Sequence, residues 1–85
     1  MTMNRYLVMA MRLPQFDTDQ IGPHRDFLDE LRGQGRLELA GGFGDKSGGA
    51  YVLRASDLDE ARVMAFRDPL HLSGSSRIDV YEWQA

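Results

Sequence analysis

The chain has no cysteine, so neither a disulfide nor a thiolate site supports its fold. It has no apolar run of about 18 residues, the length that a membrane-spanning helix requires. It has no excess of positive charge, because its net charge is −3, whereas nucleic-acid-binding domains usually carry a basic stripe. The apolar run near the start is interrupted by Arg12 and precedes no small-residue cleavage site, which argues against a signal peptide. These absences predict a cytoplasmic protein without a membrane or nucleic-acid partner.

The length of 85 residues predicts one domain over residues 1–85. A domain this small buries a modest fraction of its surface and is marginally stable alone. Since no disulfide is possible, packing against a second copy of the chain is an obvious way to bury more apolar surface.

Two patterns in the first half predict a strand followed by a helix. Residues 4–13 contain no Gly or Pro and are mostly apolar on both alternating sides, which is typical of a central strand covered on two faces. Residues 20–34 predict a helix with Pro23 in its first turn and with Gly33 and Gly35 at its end. Residues three or four apart share one face of a helix, and the face expected to point inward consists of Ile21, His24, Leu28 and Leu31.

The second half predicts two strands, a helix and a last strand. Residues 36–41 and 50–55 flank a Gly-rich loop, which is typical of a hairpin. Ser56, with an acid three residues later, predicts a helix start, and the inward stripe of that helix continues to Asp68. The proline after Asp68 is expected to end the helix there. Residues 76–83 alternate as the final strand.

The order strand, helix, strand, strand, helix, strand predicts an α+β fold of the ferredoxin-like βαββαβ type. Right-handed crossovers place both helices on one face of a four-stranded antiparallel sheet. The other face would carry strand residues such as Tyr and Met, and a large bare apolar patch usually marks an interface. We therefore expect a homodimer of the dimeric α+β barrel type, with its two sheets packed face to face.

A family resemblance rests on three segments, GPHRDFLDEL, GRLELAGGFGDKSGGAYVLRA and DPLHLSGSSRIDVYEW. Together they resemble the YciI-like (YCII-related) proteins over nearly the whole chain, from about Tyr6 to Trp83. The marks are a histidine in the first helix, G-x-L-x-x-A-G before the hairpin, Gly-Gly before the third strand and Asp-Pro after the second helix. The resemblance implies a small dimeric ferredoxin-like protein. Most members have no assigned reaction, and a few relatives are lyases or dehydrohalogenases that act on ring compounds.

The resemblance also implies a site. The His–Asp pair proposed as the catalytic centre of the family corresponds here to His24 and Asp68. The run after Asp68, with His71 and Ser73, looks like a feature of a subgroup, and we expect these two residues to line a substrate pocket. One departure is Gly42, which stands where many members have proline and which suggests a looser hairpin.

The position of His24 suits a general base. It lies among Ile and Leu near a helix N-terminus, where the helix dipole disfavours the imidazolium. A neutral imidazole with a free lone pair is what a general base needs near neutral pH. The alternative is a core histidine bonded to a backbone carbonyl, and the residues alone do not decide between the two.

Asp68 is expected at a helix C-terminus, where the dipole is unfavourable to an acid, so it is a candidate for orienting a histidine. The alternative is an Asp-Pro turn whose carboxylate caps nearby N–H groups. Contact with His24 is not obvious. The two helices run parallel, with His24 near the start of the first and Asp68 near the end of the second, and a ten-residue helix spans roughly 15 Å. Contact requires a shifted helix, a folded-back loop or the partner subunit. His71 is the nearer partner in sequence.

Other motifs are absent. No G-x-S-x-G surrounds the serines near His71, so this run is either a polar connecting loop or the lining of a site without a nucleophile. The loop GGFGDKSGG lacks the phosphate-loop pattern, and the two histidines show no metal-ligand spacing, so neither a metal nor another cofactor is implied. RNA-recognition modules have the same strand order, but here the third strand offers Tyr51 alone, with Gly49 and Arg54 where further aromatics would stand.

Two functions fit these residues. One is a small enzyme, a lyase or isomerase, that transfers protons on a small organic molecule at His24 and Asp68. The other is a non-catalytic module that binds a small molecule or acts as a dimeric interaction domain. An enzyme requires His24 in a concave pocket with an open side, whereas a sealed and fully bonded His24 favours the module.

Overall fold

The computed structural model of the protein describes residues 3–85 and contains one sheet with three helices. In chain order the elements are β1 (Asn4–Arg12), a 3-10 turn (Thr18–Gln20), α1 (Ile21–Gly33), β2 (Leu37–Gly42), β3 (Gly48–Ala55), α2 (Leu58–Ala65), α3 (Pro69–Leu72) and β4 (Ser76–Trp83). The strand order in the sheet is β2-β3-β1-β4, and every neighbouring pair is antiparallel. This confirms the ferredoxin-like arrangement.

The core lies between the helices and one face of the sheet. On β1, Tyr6, Val8 and Ala10 are at most 4% exposed, because they alternate toward the helices. Leu7 and Met9 alternate to the opposite face and are only partly buried. The prediction of a strand covered on two faces therefore holds for one face within a single chain. No helix in residues 3–85 is long and apolar enough to cross a membrane.

The second helix begins and ends at other residues than predicted. Its N-cap is Asp57, whose carboxylate accepts a hydrogen bond from the Glu60 backbone N–H at 2.8 Å, while Ser56 precedes the cap. The helix ends at Ala65, so Asp68 is not part of its stripe. Asp is a favoured N-cap residue, and its position just before the first helical turn fits Asp57 better than Ser56.

The segment after α2 is not an irregular loop but the one-turn helix α3. Asp68 is its N-cap, and Pro69 occupies its first turn, where a missing N–H costs nothing. The prediction that Asp68 lies at a helix C-terminus is therefore wrong. The carboxylate stands at the favourable, N-terminal end of a helix.

Candidate functional site

A cavity of about 350 Å³ lies between α1 and one end of the sheet. It exists because its floor has small side chains. Ala10 pairs with Gly49, and Gly49 pairs with Gly42, so the three stand side by side across three strands. Ala40 lies next to them, opposite Tyr51. A Cβ at Gly49 would lie 2.6 Å from the backbone oxygen of Gly41, so glycine is required there.

His24 projects from the start of α1 into this cavity. Its Nδ1 lies 2.9 Å from Oδ1 of Asp68. A carboxylate only accepts hydrogen bonds, so Nδ1 carries the proton and donates it. The lone pair of the neutral ring is then on Nε2, which has no hydrogen-bond partner among residues 3–85. The side chain is 19% exposed, so it is neither sealed nor open to bulk water.

Asp68 is fully buried and has three donors. Besides His24, the Tyr51 hydroxyl donates to Oδ2 at 3.0 Å, and the Leu70 backbone N–H donates to Oδ1 at 2.9 Å. A buried carboxylate is tolerated only when it is paired and hydrogen-bonded. Asp68 therefore does both things that the sequence left as alternatives, because it caps a helix and also orients a histidine.

The folded-back segment explains how His24 and Asp68 meet within one chain. The chain continues past α2 into α3, and α3 packs against α1. Of the three routes to contact that the sequence left open, the structure uses the folded-back one. His71 does not bond the carboxylate, although it is nearer in sequence.

His71 and Ser73 lie outside the cavity, contrary to the expectation that they line it. A one-turn helix has one inward position, and Leu70 occupies it at 7% exposure. His71 therefore points outward, with its ring 4.8 Å from that of Phe66. The hydroxyl of Ser73 bonds that of Ser75 at 2.8 Å, so it is used within the turn.

Tyr51 belongs to the site, although the sequence did not predict it as a site residue. It is 2% exposed, and its ring centroid lies 6.1 Å from that of His24. The sequence carried one signal for it, because a tyrosine on the inward side of a strand needs a partner for its hydroxyl. Burial raises the pKa of the Tyr51 phenol well above its usual 10.0, and the negative charge of Asp68 raises it further. Both effects favour the neutral phenol, which donates its hydrogen bond to Asp68.

The Tyr51→Phe variant tests this account through pH. The unfolded phenol ionises near pH 10 while the folded one does not, so the folded state loses stability as pH rises above 10. The loss from this group is at most about 1.4 kcal/mol per pH unit. We expect urea unfolding of the wild type to show a steeper decline than Tyr51→Phe between about pH 9 and about pH 11. Equal declines would contradict the prediction.

The remaining polar groups around the cavity are cationic or hydroxyl groups. Arg12, Arg25 and Arg32 line it, and so does Ser76. No group of three or more His, Cys, Asp or Glu side chains that could hold a metal ion occurs in the described part of the chain. A second hollow of about 570 Å³ lies beside α1 and α2, lined by Arg36 and Glu60, which form an ion pair at 2.7 Å.

Comparisons with known proteins show the family. The model of the YCII-related domain matches residues 5–84. The uncharacterized protein YjpA of Bacillus subtilis (strain 168) is 42% identical over 82 residues, which cover 96% of each chain. The chain belongs to the YCII-related family, as the resemblance predicted.

A solved structure shows the same fold in an enzyme. It is that of 5-chloro-2-hydroxyhydroquinone dehydrochlorinase (TftG) from Burkholderia phenoliruptrix AC1100, in complex with 2,5-dihydroxybenzoquinone. The TM-score is 0.77, the identity is 19%, and the match covers 94% of this chain and 93% of that one. At this identity the likeness concerns the fold, which in that protein supports chemistry on a small molecule.

Proposed function

We propose that this protein is an enzyme that transfers protons on a small organic molecule bound in the cavity beside His24. The observation that carries the proposal is the geometry of that ring. Asp68 holds Nδ1 at 2.9 Å, and Nε2, which has no partner among the described residues, is left to exchange a proton with a ligand. His24 is the general base or acid.

The proposed reaction starts with His24 removing a proton from a carbon of the substrate. The C–H bond electrons stay on the substrate as an enolate-like anion, and Nε2 gains the proton. The resulting imidazolium lies against the Asp68 carboxylate, which favours the charged ring. In an isomerase the proton returns to another atom, whereas in a lyase the electron pair expels a leaving group. Tyr51 and the Leu70 N–H keep the carboxylate in place throughout.

The cavity, at about 350 Å³, is within the range of small-ligand pockets, which an enzyme and a binding module both require. Two observations favour the enzyme. His24 is partly exposed, whereas a histidine that only supports the core would be sealed and fully bonded. The fold is also that of a dehydrochlorinase, which acts by eliminating a group from a ring compound.

Solvent exchange tests the proposal without knowledge of the natural substrate. A proton-transfer enzyme exchanges an acidic C–H of its substrate with D₂O, which NMR detects even when no product accumulates. A panel of small keto acids, lactones, quinols and hydroxyquinones is incubated with the protein in D₂O. Accelerated exchange on any member supports the enzyme. A compound that raises the melting temperature but does not exchange supports the binding module.

We also propose that two copies of the chain pack through the sheet face that points away from the helices. That face carries the partly buried Leu7 and Met9 on β1, and the exposed Tyr81 and Trp83 on β4. Tyr81 and Leu7 are paired in register, so the apolar side chains are contiguous. An apolar patch of this kind usually marks an interface, and a second copy supplies a matching apolar surface.

The Met9→Glu variant is expected to dissociate this dimer. Met9 lies mid-strand, opposite Asp79, so a carboxylate there would be buried beside a like charge. Sedimentation at micromolar concentration should give a dimer for the wild type and a monomer for Met9→Glu. The matched control is Leu72→Glu on α3, which is 71% exposed and away from the sheet. A monomeric wild type would refute the dimer.

A further inference from the structure

We infer that the ligand of the cavity is a small anion, a carboxylate or an ionised enol or phenol, whose negative oxygen lies beside Arg12 and Ser76. The inference rests on the proposed function only in that it concerns the same cavity. It adds the chemical class of the substrate and two positioning residues, Arg12 and Ser76, that lie outside the His24–Asp68 pair.

The charged side chains that line the cavity are opposite in sign to the net charge of the protein, while the nearby Asp68 carboxylate is fully buried and bonded to His24 and Tyr51. The net charge of the chain is −3, yet three arginines line the cavity and no Asp or Glu of residues 3–85 does. Arg32 is neutralised by Asp29 at 2.6 Å, whereas Arg12 and Arg25 form no ion pair within the described residues. A cavity lined by one sign of charge concentrates ligands of the other sign.

Arg12 is held in a position suited to binding an oxyanion. Its guanidinium carbon lies 4.1 Å from the centre of the Phe16 ring. Stacking on an aromatic face fixes the plane of the group but leaves its N–H edge free for two parallel hydrogen bonds. The Arg12 backbone N–H is tied to the Ser47 carbonyl at 2.9 Å, which fixes the end of β1 from which the side chain extends.

Ser76 supplies an independent sign of a ligand. It lines the cavity, is 3% exposed, and its Oγ has no hydrogen-bond partner in the described residues. A buried hydroxyl without a partner is costly and uncommon. Ser76 is opposite Arg12 in the β1–β4 register, so the two side chains leave the sheet on the same side, and both line the cavity. A ligand anion bound there would satisfy both groups.

The position also fits the chemistry at His24. An ionised enol is the form that a substrate takes once a proton has left the carbon beside its carbonyl, so its negative oxygen is the atom on which charge develops during the transfer. A fixed guanidinium and a hydroxyl aimed at that oxygen stabilise the charge as it develops. Arg12 and Ser76 would therefore act on the oxygen while His24 acts on the carbon.

The test uses benzoate and benzamide, a pair that matches in shape and differs in charge. NMR titration measures both with the wild type, Arg12→Gln, Arg12→Lys and the control Arg62→Gln, which removes an exposed arginine on α2 outside the cavity. We expect the wild type and Arg62→Gln to bind benzoate roughly tenfold to a hundredfold more tightly than benzamide. Arg12→Gln should lose most of this preference, and Arg12→Lys should retain part of it.

Several outcomes overturn the inference. They are equal binding of the two compounds by the wild type, no benzoate binding up to about 10 mM, and a preference unchanged in Arg12→Gln. The proposed function fails separately, when His24→Asn keeps full C–H exchange. A His24→Asn variant that retains the benzoate preference but not the exchange supports both.

Ser76→Ala separates a ligand-binding hydroxyl from a structural one. Removing an unpaired buried hydroxyl relieves its desolvation cost, so we expect an equal or higher melting temperature. Benzoate binding should weaken roughly fivefold, because the ligand oxygen loses one donor. A variant that melts lower and binds benzoate as the wild type does would show that the hydroxyl serves the fold, and would overturn the role given to Ser76.

Discussion

Replacing Asp68 with alanine is expected to lower the free energy of unfolding by about 3–5 kcal/mol. The carboxylate is fully buried, and its removal leaves the Tyr51 hydroxyl and the Leu70 N–H without acceptors. It also removes the cap of α3. Because a small domain has only about 5–15 kcal/mol of stability in all, this is the largest effect of a single substitution that we expect. Urea unfolding monitored by circular dichroism measures it.

The matched control for this variant is Asp57→Ala. Asp57 is also an N-cap, and its carboxylate likewise accepts from a backbone N–H, but it lies at the surface. Its loss should cost about 1 kcal/mol, the usual value of a cap. The difference between the two variants measures the buried hydrogen bonds of Asp68 beyond capping. Equal losses would mean that the contacts with His24 and Tyr51 contribute no stability.

The second large effect is expected on catalysis. His24→Asn should reduce the rate of C–H exchange by roughly 10²–10⁴, the usual contribution of a general acid or base. Stability should change little, because Asp68 keeps the hydrogen bonds from Tyr51 and Leu70. The measurement is exchange in D₂O on whichever compound the wild type accepts.

The chain's other histidine provides the control. His71→Asn should leave exchange unchanged, since the structure places His71 at the surface against Phe66. A reduced rate in His71→Asn, with a normal rate in His24→Asn, would reverse the roles and place the site at α3. Asp68→Asn should resemble His24→Asn in rate, because an amide does not hold the ring in the tautomer that leaves Nε2 free.

The order of the elements was predictable because it depends on local patterns. Alternation marks the strands, and a three-to-four spacing marks α1, so the ferredoxin-like order followed from neighbouring residues alone. The end of α2 was not predictable in this way. Asp-Pro fits equally well after one helix or at the start of the next, since proline ends the former and suits the first turn of the latter.

The contacts of the site could not be predicted, because they join residues far apart in sequence. His24 and Asp68 are separated by 44 positions, and the link depends on α3, which has too few residues to show a period. The cavity was invisible for another reason. It exists because glycine has no side chain to fill the space above the sheet. In the sequence, Gly42 and Gly49 indicated only turn residues or a loose hairpin.

The double role of Asp68 has a consequence for how the site is assembled. The carboxylate that caps α3 also accepts the hydrogen bond from His24, so a molecule in which α3 has unwound has lost the group that orients the imidazole as well. Activity should then report the docking of α3 more sensitively than the overall fold does. Serine or asparagine at position 68 would still cap α3, since both are favoured N-cap residues, but would not hold the His24 ring in the same orientation.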